Sequence, residues 1–338
     1  MMSSEGNVCG TWNLDGVTLR GGFKDSSGGM EFYVTPGNVG RVESAVDMQQ
    51  ATKQYSLGVS GGGDLYLSAA AHRYFRLVVN GVTQLVCADS NALLAAYPVL
   101  FATSLAPAGV LNLNGKDQTA AFLSHLMRND TSTVDYGVVT SGAAFGVVTS
   151  AVPATLTLTG ALTSDQHDKS QRYYCLPSNA AVKFGGLAGL HFAGESSSAT
   201  QVFSFVQSDS QGPLRVSSGT LLFDRGAGWS GAQDVVIDGT GVLAADAASA
   251  PVLFGKSAGR SRANLRIGGG GALNLPAGAQ ATVHTLRIGG TDAAHFLPAG
   301  VYGGAGAGLD AAHTLPCLTG GGTLFVRASG AGFIIMFR

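Results

Sequence analysis

The sequence predicts an all-β chain wound as a β-solenoid, and three observations carry that expectation. Residues 212–290 read as one short alternating apolar run after another: GPLRVSSG, GTLLFDR, DVVIDGTGVLAAD, ANLRIGGG, GALNLPAG and ATVHTLRIGG. Most of these runs close on glycine or on an Ala/Ser/Asp cluster, residues that let a chain turn a tight corner. No apolar pattern of helical period interrupts them. A single coil of such strands cannot bury its inner face, so stability must come from stacking coils about 4.8 Å apart with paired backbones. At roughly 20–28 residues per coil the chain would make about a dozen turns, a rod on the order of 60 Å long.

Composition sets the bounds. The 338 residues include 50 glycines, and charged residues are only 12% where about 25% is ordinary. A hydrophobic share of 45% excludes disorder. Twenty basic and twenty-one acidic residues give a net charge of −1. No run of Lys and Arg offers a phosphate-tracking patch, so no nucleic-acid partner is expected. No apolar run reaches the ~18 residues of a membrane helix. The opening MMSSEGNVCG lacks a basic segment followed by an apolar one, so no signal peptide is expected in the sequence as given, which reads as a fragment of a longer protein. Cys9, Cys87, Cys175 and Cys317 lie far apart without a CxxC, which excludes zinc spacing and predicts buried free thiols.

Residues 1–105 are the less regular part, expected to form the first coils or a cap. GTWNLDGVTLRGG (10–22) predicts two short strands hinged on Gly16, with Trp12, Leu14, Val17 and Leu19 as the apolar set. MEFYVTPG (30–37), QYSLGVSGGGDLYLSAA (54–70) and YFRLVVNG (74–81) continue the strand pattern. ESAVDMQQATK (43–53) and SNALLAAYPVLF (90–101) are the two stretches that could hold helical turns, although Pro98 argues against a helix through the second. From 106 to 338 the strand spacing tightens, with GVVTS occurring at 137–141 and again at 146–150. Residues 163–180 hold the densest polar cluster and predict a protruding loop. A β-sandwich or propeller is disfavoured, because Asn-Gly, the short hairpin signal, occurs only at 80–81 and 114–115.

Two blocks carry a family resemblance. AGVLNLNGKDQTAAFLSH through GVVTSAVPATLTLTG (108–160), and LNLPAGAQATVHTLRIGGTDAAHFLPAGVYGG (273–304) followed by LTGGGTLFVRA (318–328), resemble the autotransporter-associated β-strand repeats of bacterial passenger proteins. The resemblance covers about 106–330 and fits 1–105 only loosely. It implies a right-handed parallel β-helix that is secreted and displayed at the cell surface, without catalytic residues. Neither a signal peptide nor a C-terminal membrane barrel is expected within the sequence as given, a departure from that pattern that fits a fragment of a longer passenger.

Candidate chemistry is sparse. Asp224, Asp234 and Asp238, with Asp246 nearby, fall in one ladder segment, and DVVIDGTG (234–241) is similar to a strand common in β-helical pectin-degrading enzymes. Paired carboxylates at suitable separation support glycosidic hydrolysis, but Asp238 before Gly239 is also an ordinary turn signal. Asp165, His167, Asp168, Arg172, Tyr173 and Tyr174, with Lys169, form the most varied loop: aromatic rings stack on sugars, and carboxylates hold hydroxyls or hard cations. The plain alternative is a solvated loop. No GxSxG accompanies the scattered His125, His191, His284, His295 and His313. The glycines Gly268–Gly271 precede a strand rather than a helix, against phosphate cradling. GFIIMFR (332–338) is an apolar, β-prone end that would fold back as a capping strand or pair with another chain.

The expectation is therefore a secreted or cell-surface structural or adhesive module, with extracellular glycans or surface proteins as partners and no cofactor or metal. The alternative is a β-helical polysaccharide lyase or glycoside hydrolase acting through Asp224, Asp234 and Asp238.

Overall fold

A computed structural model describes residues 2–4, 7–20, 23–24, 30–47, 49–50, 53–54, 56–81, 83–101, 108–125, 127–128, 144–162, 173–178, 180–231, 234–255, 261–289 and 295–328. They form an all-β structure of mostly parallel sheets, and no α-helix occurs among them. The reason lies in the alternation. In Asp64–Leu67, Arg76–Val79, Thr220–Asp224 and Asn264–Ile267 every second side chain is buried, which is the period of an extended strand.

Three sheets dominate. The first orders Met2–Ser4, Asn7–Asn13, Met30–Tyr33, Ser56–Ser60, Arg76–Val79, Val99–Phe101 and Leu123–His125, and all its pairs are parallel except the first. The second has thirteen strands and runs from Thr18–Leu19 to His295–Phe296. The third orders Thr200–Ser204, Thr220–Asp224, Val242–Ala245, Ala272–Leu275 and Leu318–Gly320. Strand partners come from distant sequence: Leu57 stands beside Leu77, Leu214 beside Val235, and Val235 beside Leu265. The chain thus returns to the same sheet after 20–45 residues, within the range of repeat periods.

Register stacks like side chains into inward columns. Phe32, Val59, Val79 and Phe101 form one, and Leu190, Leu214, Val235, Leu265 and Leu286 another, all of them buried. Each such side chain contributes roughly 1.5–3 kcal/mol of apolar burial. One connected core extends from Leu14 to Val326. The second sheet passes residue 105 without a break, with Leu85 beside Leu111.

Two long strands, Gly146–Leu158 and Val182–Ala193, join the halves of that second sheet. Val110–Asn112 pairs with the first half of Gly146–Leu158, and Gln118–Ala120 with its second half. Leu214–Ser218 then continues from the second half of Val182–Ala193. Between Ser150 and Ala154 the register shifts, so Ala151, Val152 and Pro153 are exposed and the strand bulges. Proline, which has no N–H for a ladder, suits that place.

The first sheet ends at Leu123–His125, and no further strand of the described residues pairs with it. A side chain takes over. Leu123 N–H donates to Gln201 Oε1 at 3.0 Å, and Gln201 Nε2 donates to the Leu123 carbonyl at 3.1 Å and to that of Pro177 at 2.9 Å. The fully buried carboxamide stands in for the peptide of a missing neighbour. Gln201 also heads an inward column otherwise made of leucine: Leu221, Leu243, Leu273 and Leu318.

Several expectations are corrected. Residues 43–53 hold strands at Val46–Asp47, Gln49–Gln50 and Lys53–Gln54 instead of helical turns, and 90–101 holds turns leading into the strand Val99–Phe101. Pairing of Val46–Asp47 with Phe23–Lys24 wins over local helical propensity. Of the apolar set at 10–22, Leu14 is buried, but Trp12 is 44% and Val17 40% exposed. The loop of 163–180 is not polar throughout, since Cys175 and Ala180 are fully buried; 163–172 lie outside the described residues. So do the first GVVTS and the end 332–338. Cys87 and Cys175 are buried and in no disulfide, and burial pushes both thiols up to about 12.

Two expected outcomes follow for stability. Gln201→Leu orphans the N–H and C=O of Leu123 at about 1–3 kcal/mol per buried group, so urea unfolding should show a loss of about 2–4 kcal/mol; an unchanged midpoint would refute the bridging role. Gly239 has φ +56° and an added Cβ would sit 2.3 Å from the Ser217 carbonyl, whereas Gly278, at φ +76°, has nothing within 4 Å. Gly239→Ala should therefore lower the thermal midpoint clearly more than Gly278→Ala does.

Candidate functional site

The outer face of the C-terminal half of the second sheet gathers most of the chemistry. Because the strands are parallel and in register, outward residues form columns as the inward ones do. One column reads Thr157, His191, Arg215, Val236, Arg266 and Arg287. The next, two residues back along the strands, reads Asp234, Asn264 and Thr285. Successive members of a column lie 21–34 residues apart in sequence, so the ladder alone assembles each column.

Arg215 grips Asp238 through Nη2 to Oδ2 at 2.9 Å and Nε to Oδ1 at 3.4 Å. His191 Nε2 lies 2.8 Å from Ser217 Oγ. Burial holds the His191 imidazole below its ordinary range, the Arg215 charge adds to that, and the Asp238 charge opposes it. Arg287 stacks its guanidinium over the Phe296 ring at 4.6 Å.

Beside this face the corner Gly268–Gly271 lines an open depression of about 300 Å³ together with Ile288, Gly289 and Cys317. It is not an anion cradle. Gly268 N–H donates to Ile237, Gly270 N–H to Gly239 and Gly271 N–H to Gly268, all to carbonyls at 2.9–3.0 Å. Three of the four amides a phosphate would need are already given to backbone.

The three carboxylates singled out from the sequence are not brought together. Asp224 ends a strand of the third sheet, with Oδ2 3.8 Å from Arg225 Nε. Asp234 and Asp238 flank a single strand of the second sheet, four residues apart and hence roughly 13 Å. Asp234 is exposed on an interior strand rather than at a sheet edge, and Asp238 is committed to Arg215. Asp246 is a turn cap: burial pushes its carboxyl up, but N–H donation from Arg225 at 2.8 Å and Ser249 at 2.7 Å outweighs this and holds it below the usual carboxylate range.

Of the loop candidates, Asp165, His167, Asp168 and Arg172 lie outside the described residues. Tyr173 and Tyr174 form a short strand antiparallel to Met127–Arg128. Among the described residues no group of three or more His, Cys, Asp or Glu could hold a metal ion, and no helix is long and apolar enough to cross a membrane. Comparison with protein-family models, curated proteins and solved structures returns no match to this chain.

The column geometry predicts a coupled titration. His191 should titrate below its ordinary value near 6.5, followed by NMR of its ring protons. Because the folded state favours the neutral ring, this group's contribution to stability is complete above that value and declines as pH falls below it. Arg215→Gln should raise the His191 value and Asp238→Asn should lower it further; the opposite signs would disprove the coupling.

Proposed function

We propose that the chain is a right-handed parallel β-helix serving as a secreted or cell-surface structural or adhesive module of the autotransporter-repeat type. One observation supports this most: the outward residues of successive strands align residue for residue into rows, some of them hydrogen-bonded from strand to strand. Gln84 Nε2 donates to Asp64 Oδ1 at 3.1 Å and Asn112 Nδ2 donates to Gln84 Oε1 at 3.1 Å, a side-chain chain across three strands. Two phrases of the resembling blocks coincide with strands. LNLPAG covers the strand Ala272–Leu275 and its turn, and GTLFV covers Thr323–Val326. A face of this kind presents repeated polar contacts to an extended partner, which suits adhesion better than turnover of a small substrate.

The test pairs adhesion with catalysis. Beads coated with the chain should be retained on polysaccharide- or cell-coated surfaces, while the soluble chain releases no reducing ends from polysaccharides. Depolymerisation that disappears in Asp234→Asn or Asp238→Asn would replace this reading with the enzymatic one.

A further inference from the structure

Charge is unevenly placed along this chain. Residues 247–338 carry seven Lys and Arg against two acids, and residues 1–246 carry thirteen against nineteen, so +5 and −6 make up the net −1. The ladder concentrates part of the basic side. Arg266 and Arg287 are direct partners on adjacent strands, facing outward while Leu265 and Leu286 are buried beneath them. Like charges placed opposite each other, with backbones about 4.8 Å apart, destabilise a strand pair.

Nothing described offsets that repulsion. Among the described residues neither guanidinium has a carboxylate within ion-pair distance, in contrast to Arg215, which is neutralised by Asp238 at 2.9 Å. Arg287 Nε is buried without a hydrogen-bond partner. Phe296 holds the Arg287 guanidinium in place but brings no counter-charge. In the adjoining row Thr285 Oγ1 donates to Asn264 Oδ1 at 2.8 Å, which leaves the Asn264 amide group free to hydrogen-bond outward. The open glycine-lined depression follows both strands.

We infer that this face binds an acidic polysaccharide, with a carboxylate or sulfate group seated against Arg266 and Arg287 and sugar hydroxyls on Asn264 and the glycine corner. The inference names the ligand class for the adhesive reading above and rests on that reading for its biological setting. An acidic glycan matches the face because its anionic groups are sparse and its hydroxyls many. A nucleic acid demands a longer positive track, and here Val236 interrupts the column and Arg215 is already paired.

Calorimetric titration of the full chain tests it, using a heparin decasaccharide and an oligogalacturonate of equal length. Inorganic sulfate, dextran and single-stranded DNA of matched charge are the comparison probes. The acidic oligosaccharides should bind more tightly than sulfate and DNA, dextran should not bind, and added salt should weaken the complex. Arg266→Gln and Arg287→Gln should each weaken binding roughly five- to tenfold and together abolish it, with Arg266→Lys intermediate. The free Arg266→Gln protein should melt no lower than the parent, because a like-charge contact is removed. Independently of any variant, the decasaccharide should protect Arg266 and Arg287 of the parent chain from phenylglyoxal.

Sulfate binding as tightly as the oligosaccharides, DNA binding more tightly, or binding that ignores both arginines and leaves them unprotected would each overturn the inference. Failure here is separable from failure of the adhesive reading. Adhesion that survives the double substitution sinks only the arginine site, and glycan binding without surface adhesion sinks only the module's role.

Discussion

Apart from the short antiparallel segments at their ends, the strands of the three main sheets take their backbone partners from segments some 20–45 residues away, and the rest of the structure depends on that constraint. A buried peptide group must be paired, and here no strand among the main sheets can pair itself. Inward side chains are consequently forced into columns, because a ladder that is in register for its amides is in register for its Cβ atoms as well. The ends of the ladder then become the difficult places, since an unpaired edge invites another chain. Antiparallel segments serve there: Met2–Ser4 lies on Asn7–Asn13, His295–Phe296 on Thr285–Ile288, and Gly300–Gly303 on Thr323–Val326. Where the first sheet stops, at Leu123, no further strand of the described residues pairs with it, and the Gln201 carboxamide supplies one peptide's worth of pairing.

Much of the fold was legible in the sequence because strand alternation is local. DVVI in 234–237, NLRI in 264–267 and TLRI in 285–288 each show which side is inward without reference to anything else. What alternation cannot show is the neighbour. Residues 43–53 look like helical turns in isolation, and only their pairing with other segments makes strands of them. Trp12 obeys the inward pattern, sharing a column with Phe32, yet it is exposed because it stands at the N-terminal end of that column. Gln201 breaks the pattern outright. A glutamine in TQVFS reads as a surface residue, and its burial follows from the unfinished edge of a strand nearly eighty residues earlier.

The candidate site was less legible, for the same reason. DVVIDGTG drew the eye as a motif, but the motif is a strand and its corner, with Asp238 held by an arginine from the preceding strand of the sheet. Arg215, Arg266 and Arg287 have no motif between them. They sit in three different runs, each with unremarkable neighbours, and become a column only through the register Val236 to Arg266 to Arg287. A reading that scans for runs of basic residues finds none, because in a ladder of this kind a charged patch is written across the sequence at the repeat spacing.

That way of writing a surface has a physical consequence. The partner offset is 20 residues from Leu57 to Leu77, 37 from Val110 to Val147 and 45 from Leu273 to Leu318, yet the inward columns continue unbroken through all three. Loop-closure entropy grows only slowly with length, so extra residues can leave the ladder and return to it at modest cost. A slip of register is different, because one residue would turn every inward leucine of that strand to solvent and every outward arginine into the core. The core columns therefore tolerate insertion between strands but not displacement within them. Binding chemistry placed on the outward columns inherits the same rigidity, since Arg266 and Arg287 cannot part without unpairing the leucines beneath them.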